Sequence, residues 1–277
     1  MPEAGPSPDA EVWLAAFRRA CDRIAAAAAA MSPEERARTR GRGAGGDITV
    51  AIDRVAEDIV LEEIEALGVP AHVISEEVGE VDLGGGSASA VVVVDPIDGS
   101  LNAKRGLPVF STSIALASGR TMGEVTLGLV RDHGTGEEWV AERGRGAWLG
   151  GSRLAARAPS PSGVLELLLV EGAYPARVAR AAAFLEGRVG RLRALGSLAL
   201  SLCQTAAGRG DAMVGLGPGR AVDVAAAQLV AVEAGLAVGL PDAAALPGTP
   251  LDLTARFHIA AAHDDEGLAL MERVVRG

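Results

Sequence analysis

Aromatic side chains make up only 3% of the 277 residues: four Phe, three Trp and one Tyr. A core with so few rings has to be built from small aliphatic side chains, in a chain that is 49% apolar. Lysine is nearly absent, Lys104 being the only one, and the remaining basic residues are arginine, which reads as a coding bias. The two cysteines, Cys21 and Cys203, are far apart and form no CxxC pair. That excludes a zinc site or a disulfide framework and predicts buried thiols in a reducing cytoplasm. No apolar run reaches about 18 residues, so no membrane span is expected. The opening MPEAGPSPDAEVW has no basic segment before an apolar one and predicts no secretory signal. Positive charge is in deficit, with a net charge of −10. That excludes nonspecific binding to a nucleic acid polymer, which needs a basic surface, and suits an enzyme that gathers divalent cations.

The length allows one large domain or two small ones sharing a core. Residues 1–8, rich in Pro, Gly and Ser, read as a loose tail. Helical spacing over 9–30 and a capping box at Ser32–Glu35 predict two helices. Residues 40–46 carry too many glycines for helix or strand. Asp47 caps a helix through about Leu67, with Ile52, Val55, Ile59 and Ile64 inward. Strands are expected at 69–75, 90–94, 111–118, 124–131 and 137–141, with a loop at 79–89 and antiparallel pairing among the last three. Pro159–Gly163 is a plausible seam. Beyond it, strands at 164–170, 189–194, 211–215 and 257–262 alternate with helices at 176–187, 197–207, 223–234 and 265–275. The chain thus reads as α+β over 9–157 and α/β over 158–277.

What the chain does have is carboxylate in a telling order. Residues 91–105 read VVVVDPIDGSLNAKR. Four valines make a buried strand that runs into Asp95 and Asp98, two acids able to converge on one spot. Pro96 stiffens the turn between them and Gly99 lets the backbone approach a ligand. Ser100 stands where free N–H groups can hold an anion. Oxygen ligands suit Mg²⁺ and exposed amides suit phosphate. Asp53, Glu76, Glu77 and Asp223 supply further acids. Taken singly, these read as readily as a turn, a surface helix residue, a solvated loop pair and an N-cap.

In the order Asp53, Ser75-Glu76-Glu77, Asp95-Pro96-Ile97-Asp98-Gly99-Ser100, Gly196-Ser197 and Val222-Asp223, the chain resembles the inositol monophosphatase superfamily of Mg²⁺-dependent phosphatases from about residue 11 to 265. The resemblance implies a layered αβαβα sandwich, a homodimer and hydrolysis of a small phosphorylated metabolite with two or three Mg²⁺ ions. It implies that Glu76, Asp95 and the Ile97 carbonyl hold one ion and that Asp95, Asp98 and Asp223 hold a second. Asp53 with Glu76 would assist a third ion or the water. Ser100, where the family usually has Thr, would lean towards Asp53 and help take the water's proton. The Gly99 and Ser100 amides would hold phosphate, with Asp98 beside the substrate; Ser197 reads equally as a substrate contact or as an N-cap.

Val94 and Val222 stand where Trp is frequent, which is a matter of packing. Residues 215–220 lack the acid that contacts inositol in animal enzymes and offer Arg220, a candidate contact for a second phosphate. This stretch and Asn102–Pro108 look closer to archaeal-type dual inositol monophosphatase/fructose-1,6-bisphosphatases. A bisphosphate nucleotidase, an NADP or histidinol-phosphate phosphatase, and an inactive metal-binding homologue remain alternatives. Arg40 and Arg42 read equally as a lid over phosphate or as surface charge. Lys104 and Arg105 read as surface charge, and His72, His133 and His258 have no metal-ligand spacing.

Overall fold

The computed structural model describes residues 5–45, 48–157, 163–243 and 245–276. The first half of the chain forms α1 (Pro8–Ala30), α2 (Pro33–Arg36), β1 (Thr39–Arg42), β2 (Ile48–Val50), α3 (Ala51–Glu65), β3 (Ala71–Ser75), β4 (Gly79–Leu83) and β5 (Ala90–Asp98). It continues with α4 (Ser100–Arg105), β6 (Ser111–Ala117), β7 (Val125–Asp132), β8 (Glu138–Glu142), β9 (Gly146–Leu149) and β10 (Ser152–Arg153). The second half contributes β11 (Leu165–Glu171), α5 (Pro175–Leu185), β12 (Val189–Arg193), α6 (Leu198–Ala206) and β13 (Ala212–Gly215). It ends with α7 (Ala221–Glu233), β14 (Ala237–Gly239), β15 (Ala260–Ala262) and α8 (Asp265–Arg276). No helix among the described residues is long and apolar enough to cross a membrane.

Among these residues the strands join into an eight-stranded sheet, β10-β9-β8-β7-β6-β5-β3-β4, a five-stranded sheet, β12-β11-β13-β15-β14, and the small hairpin β1-β2. The period-2 alternation of side chains decides the layers. On β5, Val92 and Val94 pack with Phe17, Ile24, Ile52 and Val60 of α1 and α3, whereas Val93 packs with Leu200, Val224 and Val230 of α6 and α7. In the second sheet Leu169 and Met213 face α6 and α7, and Leu168, Val170 and Val214 face Leu185 of α5 and Met271 of α8. The result is the expected sandwich of five layers, α/β/α/β/α. Helix α7 lies at its centre and has to be small: it reads AVDVAAAQLVAVE and is buried along nearly its whole length. A Cβ at Gly128 of β7 would stand 2.8 Å from the Ala226 carbonyl oxygen, so the missing side chain lets helix and sheet touch.

The expected antiparallel run forms as β6, β7 and β8, and β9 and β10 extend it. Several expectations are corrected. Within 40–46, Gly41 and Arg42 belong to β1, which pairs with β2 through an irregular register. Pairing across the hairpin, not local preference, makes that strand. The loop expected at 79–89 contains β4, an edge strand zipped along β3. Val55 is 36% exposed, because α3 turns Asp53, Ala56, Glu57 and Val60 inward beside Ile52, Ile59 and Ile64. Asp47, the expected cap, lies outside the described residues; the helix starts after Val50. The last strand is only Ala260–Ala262 and has β14 as a neighbour. Residues 1–4 and 158–162 of the expected tail and seam also lie outside the described residues. Ser7 is not loose: its N–H donates to Glu142 Oε2 at 2.6 Å.

Candidate active site

The site begins where β5 stops being regular. Asp95 pairs with Ser113 and Asp98 with Ser111, three steps on one strand against two on the other. That extra residue is a bulge, which re-aims the acids on either side of it. Pro96 is pinned there by its carbonyl, which accepts from Thr112 Oγ1 at 2.8 Å. The Ile97 N–H donates to Asp95 Oδ1 at 3.1 Å, and the Ile97 carbonyl accepts from Ser100 Oγ at 2.9 Å. Gly99 has φ of +96°, and a Cβ there would sit 3.1 Å from the carbonyl oxygens of both Val109 and Gly196. Only glycine turns this corner without strain.

Neighbouring elements bring the other acids. Strand β3 runs parallel to β5 with Ser75 opposite Val94, so the next residues, Glu76 and Asp95, leave the sheet at one level. Asp53 and Asp223 are each the third residue of a helix and use one oxygen in the same way. The Val50 N–H donates to Asp53 Oδ2 at 2.9 Å, and the Arg220 N–H to Asp223 Oδ2 at 2.8 Å. Both carboxylates sit at a helix N-terminus, where negative charge is favoured. The second oxygen of Asp53 is left for the site, and that of Asp223 is met by the Arg220 side chain. The Asp53 Oδ1 atom is buried with no hydrogen-bond partner. Ligand oxygens of Glu76, Asp95 and Asp223 all lie within 4.8 Å of one another. With Asp53, Glu77, Ile97, Asp98, Gly99, Ser100 and Arg220 they line a cavity of about 310 Å³.

Burial pushes Asp53, Glu76, Asp95 and Asp98 towards their neutral forms. Asp53 is raised to about 7, chiefly by burial, and Ser100 is close enough to count among the groups that favour its charged form. Glu76 is raised to about 8 by burial, although Arg220 opposes the shift. Asp98 is raised to about 7 by burial against the help of Ser197 and the Ala199 amide. Asp95 is raised well above the ordinary range by burial and by Glu76, Asp98 and Asp223. Several carboxylates held this closely away from water call for cationic compensation. An all-oxygen donor set of this kind fits a hard divalent cation such as Mg²⁺.

Two anticipated contacts turn out differently. Ser197 is buried and gives its hydroxyl to Asp98 Oδ2 at 2.5 Å, with the Ala199 N–H on the same oxygen at 2.7 Å. It caps α6 and fixes Asp98 without facing the cavity. Arg220 is turned inward: its Nη2 lies 2.5 Å from Glu76 Oε1 and 3.3 Å from Asp223 Oδ1. Arg42 is exposed, Arg105 is exposed, and the Arg40 side chain lies outside what the structure describes.

Two acids escaped the sequence reading. Glu57, fully buried one turn after Asp53, accepts from Ser75 Oγ at 2.5 Å and the Val78 N–H at 2.9 Å, and so holds the turn that carries Glu76. Glu171, at the end of β11, accepts from the Leu195 N–H at 2.8 Å, the Gly196 N–H at 3.0 Å and Ser201 Oγ at 2.6 Å. Its position at the C-terminal end of a parallel strand is the one sequence signal that pointed to it.

Layered sandwich and clustered acids together define a family of phosphatases, and direct comparison agrees. The inositol monophosphatase family profile matches residues 9–276. The chain belongs to that family. It is 34% identical over 242 residues, 84% of each chain, to the fructose-1,6-bisphosphatase/inositol-1-monophosphatase of Methanothermobacter thermautotrophicus. It is 31% identical to the enzyme of the same name from Methanocaldococcus jannaschii, over 82% of this chain and 84% of that one. A crystal structure of an inositol monophosphatase–fructose 1,6-bisphosphatase superposes with a TM-score of 0.82 at 26% identity, covering 95% of this chain and 99% of that one.

Proposed function

We propose that this chain, a phosphoric monoester hydrolase by family, hydrolyses a small sugar or polyol phosphate with two or three Mg²⁺ ions. The observation that carries the reading is the meeting of Glu76, Asp95 and Asp223 within 4.8 Å, beside a buried Asp53 Oδ1 with no hydrogen-bond partner among the described residues. Glu76, Asp95 and the Ile97 carbonyl would hold one ion; Asp95, Asp98 and Asp223 would hold a second; Asp53 and Glu76 would assist a third. Mg²⁺ supplies neutralisation of the phosphate dianion, a lowered pKa for water and stabilisation of the leaving alkoxide.

The chain's own groups do the rest. Asp53, whose buried Oδ1 has no hydrogen-bond partner among the described residues and which has Ser100 beside it, would take a proton from the attacking water. The Gly99 and Ser100 amides and the Asp98 side of the cavity receive the phosphate. Ser197 and Ala199 keep Asp98 in one orientation, so no reorganisation is needed as the substrate reacts.

The stretch 215–219 carries no acid that could accept hydrogen bonds from inositol hydroxyls, so discrimination for inositol should be weak. Arg220 is occupied by acids, but Arg177 lies along the same loop: a Cβ at Gly217 would meet its guanidinium. Arg177 stacks over the exposed Tyr174 in a cleft that shares Gly172 and Leu198 with the active-site cavity. A second phosphate, as in fructose 1,6-bisphosphate, would meet Arg177 there. A homodimer in a reducing cytoplasm completes the proposal, and light scattering tests the dimer.

Phosphate release from inositol 1-phosphate, fructose 1,6-bisphosphate and a nucleotide bisphosphate, with and without Mg²⁺, is the deciding measurement. Release should require Mg²⁺, and Ser100→Ala should lower kcat by about 10²-fold with little change in KM, while Ser100→Thr stays close to the parent. Arg177→Ala should raise KM for fructose 1,6-bisphosphate alone. Metal-independent release would overturn the mechanism. A strong preference for inositol 1-phosphate would overturn the substrate reading.

A further inference from the structure

We propose that Arg220 is the built-in cation of the metal-free site, and that its guanidinium must leave Glu76 and Asp223 before these two acids can serve as metal ligands. The proposal rests on the metal reading given above. The Arg220 Nη2 lies 2.5 Å from Glu76 Oε1, and both Nη2 and Nε lie 3.3 Å from Asp223 Oδ1. Those two acids belong to the triad whose ligand oxygens come within 4.8 Å of one another. Guanidinium and divalent ion therefore claim the same two carboxylates.

The surroundings fit this role. The side chains of Arg220, Glu76 and Asp223 are only 11%, 13% and 12% exposed, so the pair is shielded from bulk water. The backbone of Arg220 is fixed, since its N–H is bound by Asp223 Oδ2 at 2.8 Å, which leaves only the side chain able to move. The glycine-rich loop closes over it. The Gly45 N–H donates to the Glu76 carbonyl at 2.8 Å, and a Cβ on Gly45 would come within 2.4 Å of Arg220 Nη1.

A guanidinium suits such a post. It keeps its charge at every relevant pH, is weakly hydrated and offers a planar fork to carboxylates. Buried acids without a cation would destabilise the fold. A divalent ion brings twice the charge to the same two carboxylates, and two cations in contact repel, so occupation by one expels the other. The fold thus stays together before metal arrives, and the metal's affinity is reduced by the contact it has to break.

Calorimetric Mg²⁺ titration of the full-length protein tests this in wild type, Arg220→Gln and Arg220→Lys. Arg220→Gln should bind Mg²⁺ roughly tenfold more tightly, as expected for removing a competing charge a few ångströms away, and its metal-free form should melt at a lower temperature than wild type. In ¹⁵N-arginine-labelled wild type, the Arg220 Nε–Hε resonance, assigned by its loss in Arg220→Lys, should shift at saturating Mg²⁺. Equal Mg²⁺ affinity in wild type and Arg220→Gln, or a resonance unmoved at saturation, overturns the exchange. Absence of Mg²⁺ binding in every form overturns the metal reading, and this inference with it. Should Arg220→Gln fail to fold, the wild-type resonance alone decides.

Discussion

Asp95 is the residue on which most negative charge converges: it is fully buried, with Glu76, Asp98 and Asp223 all raising its pKa. Asp95→Asn keeps the shape and removes the charge. Mg²⁺-dependent turnover should vanish, while metal-free stability at pH 8 should rise by about 1 kcal/mol as repulsion is relieved. Phosphate release and a metal-free denaturant melt check both halves; near-normal turnover would remove Asp95 from the mechanism. The raised acids also set a pH dependence. Asp53 and Asp98, both at about 7, hold protons in the metal-free folded state that the unfolded chain has already lost. Their contribution to stability is therefore fully present below the ordinary carboxylate pKa of about 4 and is lost as pH rises through about 7. Metal-free melting temperatures should fall between pH 5 and 8. A rise over that interval would contradict the burial of these groups. At this scale the sequence showed which acids to suspect, because the Asp-Pro-Ile-Asp-Gly run is rare. It did not show that Arg220 faces inward or that Ser197 serves Asp98, since both depend on partners 144 and 99 residues away.

Elements were legible where their own pattern was strong. The apolar strands β5 to β8 and the long helix α1 form close to the expected places. Those made by pairing alone were not: β1 reads TRGR with no apolar residue, and β4 reads GEVDL with alternate residues in water. The bulge in β5 was also invisible, because register belongs to two strands and not to one. Helix α7 shows what contact between elements demands. It is alanine-rich so that β7 can approach at Gly128, where a side chain would meet the Ala226 backbone at 2.8–3.2 Å. Gly128→Val should therefore destabilise the protein by about 3 kcal/mol, at the upper end for overpacking, because the clash is with backbone. Urea unfolding measures this; a loss under about 0.5 kcal/mol, the range of an ordinary surface change, would mean that α7 can shift freely.

For the whole molecule, metal and fold are linked. The acids come from α3, the β3–β4 turn, β5 and the start of α7, so an ion bound among them would tie together pieces of both halves of the chain. At a Mg²⁺ concentration about 100 times its dissociation constant, the folded state should gain about 2.7 kcal/mol. The gain should grow from pH 5 to pH 8, because ligation needs the deprotonated acids. Calorimetric scans in EDTA and in Mg²⁺ at both pH values give the comparison; a gain that shrinks with pH would place the stabilising ion elsewhere.

The sequence by itself determined the membership and the chemistry. Carboxylates in that order after those strands carry the resemblance that implied the αβαβα layering, while the apolar patterning by itself gave α+β followed by α/β. Tertiary structure alone decided how the acids are held. Glu57 supports the turn of Glu76, Glu171 fixes the approach to α6, and Arg220 reaches across to Glu76 and Asp223. A lone acid or arginine carries no local signature of such a role. Its hydrogen bonds and its burial exist only once strands distant in the chain lie side by side.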